Sequence, residues 1–262
     1  MNFPYTNLPW LWESVLFLTR HGSQAYGTNV EGSDEDFKGF SIPPQPYFLG
    51  FCGRFEQAEF KKPDMVIYDI RKFFRLAADC NPSIIEVLFT QERDHRLVTD
   101  LGRMVLEKRD LFLSRKAMYT FSGYATSQMK KIKAQQQWLK DPSSAPAGWL
   151  ENRNEKRREL DIKYGYDTKH GMHLVRLMRM GQEILDGKGV QVFRPDREEL
   201  LAIRKGAWKF DELIEWTLKS QEKLDSSYKT SKIPHSVDMQ ELDKLCVSCV
   251  ESFQAWGGPN KP

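Results

Sequence analysis

The chain has no apolar run approaching the ~20 residues that cross a bilayer, so no membrane-spanning helix is expected. It has little cysteine: four in 262 residues. Cys52 and Cys80 are isolated, and Cys246 and Cys249 form a C-x-x-C near the end. A structural zinc site needs a second ligand pair, and none with suitable spacing is near. The pair reads instead as two residues one helical turn apart on a terminal helix. The five histidines, His21, His95, His170, His173 and His235, show no close metal-ligand spacing. No Walker-type loop, Ser-His-Asp arrangement, internal repeat or low-complexity tract is present. Residues Met1 to Trp10 lack the basic-then-apolar build of a signal peptide, and a cytoplasmic location is expected. A net charge of only +3 does not by itself point to nucleic acid, although Lys and Arg concentrate between Arg103 and Arg158.

What is present is globular. Hydrophobic residues at 40% and charged residues at 29% suit a soluble protein with a real core. The first ninety residues alternate strand and helix signals. Ser14–Thr19, Phe37–Ile42 (stopped by Pro43-Pro44) and Met65–Ile70 read as strands, rich in β-branched and aromatic residues. Arg71–Ala78 and Ser83–Phe89 read as helical, interrupted by Asn81-Pro82. From Leu101 the pattern is almost wholly helical: Leu101–Leu113, Ser114–Leu139, Asn154–Ile162, Asp167–Asp186, Arg197–Lys205, Phe210–Leu224 and Val237–Ala255. Asp141–Gly148 is a loop and Ser226–Pro234 a polar linker. The fold class predicted is α+β, a small mixed sheet over residues 1–100 followed by a mostly helical domain over 101–262.

The most informative segment is GSQAYGTNVEGSDEDFKG, Gly22 to Gly39. Asp34 and Asp36 are two residues apart, which on a strand puts both carboxylates on one face, with Glu35 pointing away. Like charges side by side are costly unless a cation lies between them. Magnesium or manganese fits, as a hard cation that takes oxygen ligands and leaves room for substrate phosphates. Gly22-Ser23, at a strand end, can offer backbone N–H groups and a hydroxyl to phosphate. The bland alternative is a Gly/Ser-rich loop followed by an acidic surface turn.

GSQAYG followed by SDEDFKGF resembles the signature of the polymerase-beta nucleotidyltransferases, Gly-Ser then Asp-x-Asp. More narrowly it resembles the bacterial and phage family of RNA-ligase-associated nucleotidyltransferases. YDIRKFFRLAADCNPSIIEVLF, FSGYATSQMKKIK and YGYDTKHGMHLVRLMRMGQEIL also resemble that family, so the likeness runs from about Leu16 to Trp208. It implies transfer of a nucleoside monophosphate from a nucleoside triphosphate, with pyrophosphate released. It implies a third carboxylate on a neighbouring strand, and Asp69 occupies the expected place. By alternation Asp69 shares a face with Met65 and Ile67, whereas Asp64 falls on the other face and reads as strand entry beside Pro63. The alternative for Asp69 is a solvent-facing strand-end residue paired with Arg71.

In the helical half, Lys169, His173 and Arg176 are spaced i, i+4, i+7 and form one stripe beside an apolar one of Leu174, Leu177, Ile184 and Leu185. That stripe suits phosphate, and the resemblance supports it for Lys169 and His173; the alternative is a solvated basic edge. Lys131, between Gln128 and Gln135, is a weaker phosphate contact. Tyr164 and Tyr166 read first as aromatic seals, and Glu86 as a helix residue bonded to a neighbouring loop. The acceptor expected from the resemblance is RNA. A small molecule, a protein, or a silent nucleotide-sensing role remains open, as does the oligomeric state.

Overall fold

The computed structural model describes residues 4–51, 53–149, 151–152 and 155–257, so Cys52 and Asn154 lie outside them. The described residues form two compact units. Unit 1 comprises residues 1–114, 190–194 and 234–262, and unit 2 residues 115–189 and 195–233.

Unit 1 is built on a five-stranded sheet, order β3-β4-β2-β1-β5. The strands are β1 (Val15–His21), β2 (Asp36–Ser41), β3 (Gln57–Lys61), β4 (Asp64–Asp69) and β5 (His95–Val98). Helices α1 (Gly22–Tyr26), α2 (Pro46–Leu49), α3 (Ile70–Ala78), α4 (Pro82–Leu88), α5 (Asp100–Glu107) and the final α11 (Met239–Ala255) complete it. β4 runs parallel to β2, and every other neighbouring pair is antiparallel. Alternation along the strands divides the sheet into two faces. Phe37, Met65, Ile67 and Leu18 join Trp10, Leu11 and Phe55 in a core on one face. On the other, Phe17 and Phe40 stack at 5.8 Å, and Phe40 meets Phe73 of α3 at 4.7 Å.

Unit 2 is helical: α6 (Ala117–Lys140), α7 (Glu155–Tyr164), α8 (Thr168–Leu185), α9 (Arg197–Arg204) and α10 (Phe210–Thr230). α8 is central, buried along most of its length and packed against α6, α9 and α10. Asp167 caps its N-terminus by accepting the His170 backbone N–H at 2.9 Å. Among the described residues no helix is long and apolar enough to cross a membrane.

The α+β class and the three strongest strands match the expected pattern. The edge strands β3 and β5 do not appear in the sequence reading. β3 is QAEFK, with most positions exposed or half-buried, so no apolar alternation marks it. The helix expected over Leu101–Leu113 ends at Glu107, and a 3₁₀ turn at Arg109–Phe112 follows. α10 continues to Thr230, through the first half of the expected linker, because a solvated helix turn has a loop-like polar composition.

Cys246 and Cys249 lie one turn apart on α11, both buried and both free thiols. Burial pushes the Cys249 thiol up to about 11. Burial, then Cys249, Asp69 and Asp243, push Cys246 up to about 12 against Arg71. Unfolded thiols ionise near 9.0, so above that pH the unfolded chain loses protons that the native state keeps. Stability therefore falls as pH rises beyond 9, by up to about 1.4 kcal/mol per pH unit for each thiol. Urea unfolding of the wild type and Cys249→Ala at pH 8 and 10 should show the stability gap narrowing by about 1 kcal/mol. A constant gap would mean that Cys249 ionises alike in both states.

Candidate active site

Gly22 and Ser23 open α1 directly after β1. Gly22 has φ +69°, a left-handed conformation that favours glycine. A Cβ there would stand 2.3 Å from Asp36 Oδ2. Glycine is thus required twice, for the turn and for the carboxylate resting against its Cα. His21 pairs with Asp36 across β1 and β2, which brings the Gly-Ser turn and Asp36 together. The loop before β2 is closed by two bonds between Val30 and Ser33, each 2.9 Å, with Gly32 at φ +77°. Asp34 follows, exposed. Glu35 turns away and ion-pairs with Arg20 at 2.8 Å.

The third carboxylate is where the structure departs from the sequence reading. The parallel ladder aligns Asp36 with Asp64 and Ser41 with Asp69. Asp64 therefore lies beside Asp36 on the same face, at the same end of the strands. Asp69 is five residues further along, about 16 Å at strand rise. It is also on the opposite face, that of Met65 and Ile67. Asp69 is 2% exposed and already engaged: it caps α3 through the Arg71 N–H at 2.7 Å and binds the Arg71 guanidinium through both oxygens. The pairing with Arg71 is the alternative raised from sequence, but it is buried, not solvent-facing.

Behind Asp36 and Asp64 the same face carries a polar cluster. Lys38, two residues after Asp36, donates to Ser83 Oγ of α4. Burial lowers its pKa, opposed by Glu86, Asp36 and Asp64 in that order. Glu86 is 1% exposed. Its Oε2 accepts from the Tyr26 hydroxyl and lies 3.3 Å from His21 Nε2. α4 is started by its Asn81 cap, which accepts the Ser83 N–H at 3.1 Å, and the chain just after it is tied to β1 by the Thr19–Thr90 hydroxyl bond at 2.9 Å. Lys38, His21 and Tyr26 were not singled out from sequence as site residues. The available signal was Glu86 itself, an acidic residue flanked by Ile84, Ile85, Val87 and Leu88, since a buried carboxylate requires partners.

A divalent cation fits the open end of this face. Asp36 and Asp64 are oxygen donors there, like charges in direct register, and Asp34 precedes Asp36 by two residues on the exposed approach to β2. Among the described residues no three His, Cys, Asp or Glu side chains are grouped closely enough to hold a metal ion by themselves, so substrate oxygens would have to complete any shell. Two or three carboxylates with open positions suit magnesium, which keeps waters and substrate phosphates in its shell.

In unit 2, Lys169, His173 and Arg176 occupy one side of α8 with graded burial: Lys169 exposed, His173 half-buried, Arg176 buried. Arg176 Nη1 lies 3.1 Å from Met180 Sδ. Lys131 is exposed on α6. Tyr166 is fully buried and donates to the Trp208 carbonyl at 2.8 Å, so it seals the unit and offers no face for stacking.

A family model described as "RNA repair pathway DNA polymerase beta family" matches residues 11–248. An uncharacterized 38.9 kDa protein from the nrdC-mobD intergenic region of Enterobacteria phage T4 is 26% identical over 176 residues, 57% of this chain. The alignment spans 50% of that phage protein's length.

Proposed function

The chain belongs to the RNA repair pathway DNA polymerase beta family, and from that membership we propose that it transfers a nucleoside monophosphate from a nucleoside triphosphate to RNA, releasing pyrophosphate. Family membership carries nucleotidyltransferase activity in general. The observation that carries the site is the register of Asp36 with Asp64 across parallel strands, with Asp34 two residues ahead. On this reading Asp34, Asp36 and Asp64 hold magnesium or manganese. When bound, the ion lowers the pKa of the acceptor hydroxyl and offsets charge on the phosphates.

The chain's own residues orient and balance. Gly22 and Ser23 present backbone N–H groups and a hydroxyl to phosphate oxygens. Lys38 and Glu86 hold the charge behind Asp36. Lys131, Lys169, His173 and Arg176 bind phosphates of donor or acceptor. Unit 1 is the catalytic part and unit 2 the substrate-binding part. RNA as acceptor is supported by the family's description and by the Lys- and Arg-rich stretch from Arg103 to Arg158.

Incubation with each labelled nucleoside triphosphate, magnesium and total RNA tests this. Label is expected in RNA, and apparent RNA affinity is expected to fall steeply with salt. Label in protein or in small molecules instead would overturn the acceptor. Nucleotide bound but never transferred would overturn the enzyme in favour of a sensor.

A further inference from the structure

A cavity of about 550 Å³ lies in unit 1 among Tyr47, Gly50, the residues 53–56, α3 and α11. That volume is in the range of small-molecule sites. It is at the Asp69 end of the strands, away from Asp36 and Asp64. Phe55, Phe74, Ala78 and Leu242 make it apolar, and Arg54, Arg71 and Arg75 bring charge to it. Leu49 and Phe51, 78% and 98% exposed, flank Gly50 of the lining and add apolar surface beside it.

Arg71 is the informative residue. Asp69 receives its Nε at 3.0 and 3.2 Å and its Nη2 at 2.6 Å. Phe48 stacks on the guanidinium, 4.1 Å from its carbon to the ring centroid. Those contacts fix the plane of the group and occupy one edge. Nη1 has no hydrogen-bond partner among the described residues. A guanidinium held rigid, with Nη1 unbonded, in the lining of a partly apolar cavity is preorganised for an anion. Arg75 lies one turn further on the same face of α3. Among the described residues neither the Arg54 nor the Arg75 guanidinium makes a side-chain hydrogen bond or ion pair. The acidic groups nearby do not cancel them all: Glu56 is bonded to Lys72 at 2.8 Å and also faces the charges of Arg75 and Arg54, Asp69 is committed to Arg71, and Asp243 is the third, against the four cations Arg54, Arg71, Lys72 and Arg75.

We propose that this cavity is a second ligand site, for a small amphipathic anion: an aromatic or aliphatic body carrying one carboxylate or phosphate. The body fills the space among Phe55, Phe74 and Leu242, and the anion takes the open edge of Arg71 with Arg75. Asp69 is the positioning residue that aims Arg71. The proposal stands whether or not the acceptor is RNA.

The full-length protein is titrated with the fluorescent anion 8-anilinonaphthalene-1-sulfonate and with its neutral analogue N-phenyl-1-naphthylamine. The anion should bind one saturable site, and Arg75→Met and Arg71→Met should each weaken it about tenfold. The neutral dye should be indifferent to both changes, and nucleotidyl transfer should be unchanged. Leu242→Trp should exclude both dyes. Loss of the Arg75-dependent signal on adding adenosine monophosphate would identify a phosphate ligand, and loss on adding decanoate a carboxylate. Equal affinity of the anionic dye for wild type and Arg75→Met, an equal weakening of the neutral dye by Arg75→Met, or displacement by neither competitor would overturn the site.

Discussion

Asp36→Ala and Asp64→Ala should each lower nucleotidyl transfer about a thousandfold, equivalent to about 4 kcal/mol of transition-state stabilisation, while Asp69→Asn should leave it within about twofold. The contrast follows from the ladder. Asp36 and Asp64 are aligned neighbours on one face of parallel strands, and Asp69 is aligned with Ser41. On the proposed reading, removing either of the first two takes away an oxygen donor for the cation; Asp36 is half-buried and Asp64 exposed, and relief of like charge between them offsets part of the counter-charge that Lys38 loses. Asp69→Asn keeps an oxygen to cap α3 and weakens the charge on Arg71. Its effect should appear in thermal stability and in anion binding near Arg71. Steady-state rates normalised to folded protein decide the matter. An Asp69→Asn loss as large as that of Asp36→Ala would return Asp69 to the catalytic set and remove Asp64 from it.

Glu86→Ala should cost about 3–5 kcal/mol of stability, the usual effect of removing one partner from a buried ionic group. Glu86 is buried beneath β1 and β2, where it meets the Tyr26 hydroxyl and His21. It is also the largest of the three charges that oppose the lowering of the Lys38 pKa. Without it, Lys38 loses its strongest counter-charge, the Tyr26 hydroxyl loses its acceptor, and His21 loses the carboxylate 3.3 Å from its Nε2. The double variant Glu86→Ala/Lys38→Met should lose less than the sum of the two single changes, since removing both charges leaves neither uncompensated. Native-state hydrogen exchange of the β1 and β2 amides reads this within unit 1. Strict additivity would show that Lys38 and Glu86 do not act as a pair.

Much of unit 1 was legible before any coordinates. Val15–His21 and Asp64–Asp69 carry the β-branched and aromatic residues of inner strands, and Gly22-Ser23 with Asp34 and Asp36 marked the end of the sheet where the chemistry is proposed. Lys38 and Glu86 were harder to read, because each looks ordinary in its own segment. One is a strand lysine and the other a helix glutamate, and only packing of α4 over β2 makes them neighbours. The same holds for α11. Its amphipathic pattern announces a helix, but nothing in the pattern tells that it packs on α3 and α5 of unit 1.

The pair Asp34 and Asp36 came from the residues themselves, as did the separation of Asp64 from Asp69 onto opposite faces of β4. Alternation along one strand settles that much, because successive side chains point to opposite sides. Which of the two faces was the relevant one, and which end of β4 lay beside Asp36, came only from the folded sheet. Strand direction and register are set by hydrogen bonds to a neighbouring strand, here between residues 28 apart in the chain, such as Asp36 and Asp64. No local pattern in β4 encodes that alignment, and it is the alignment that puts Asp64 beside Asp36, whereas the Asp69–Arg71 pair is local, two residues apart, and is open to a reading of the sequence.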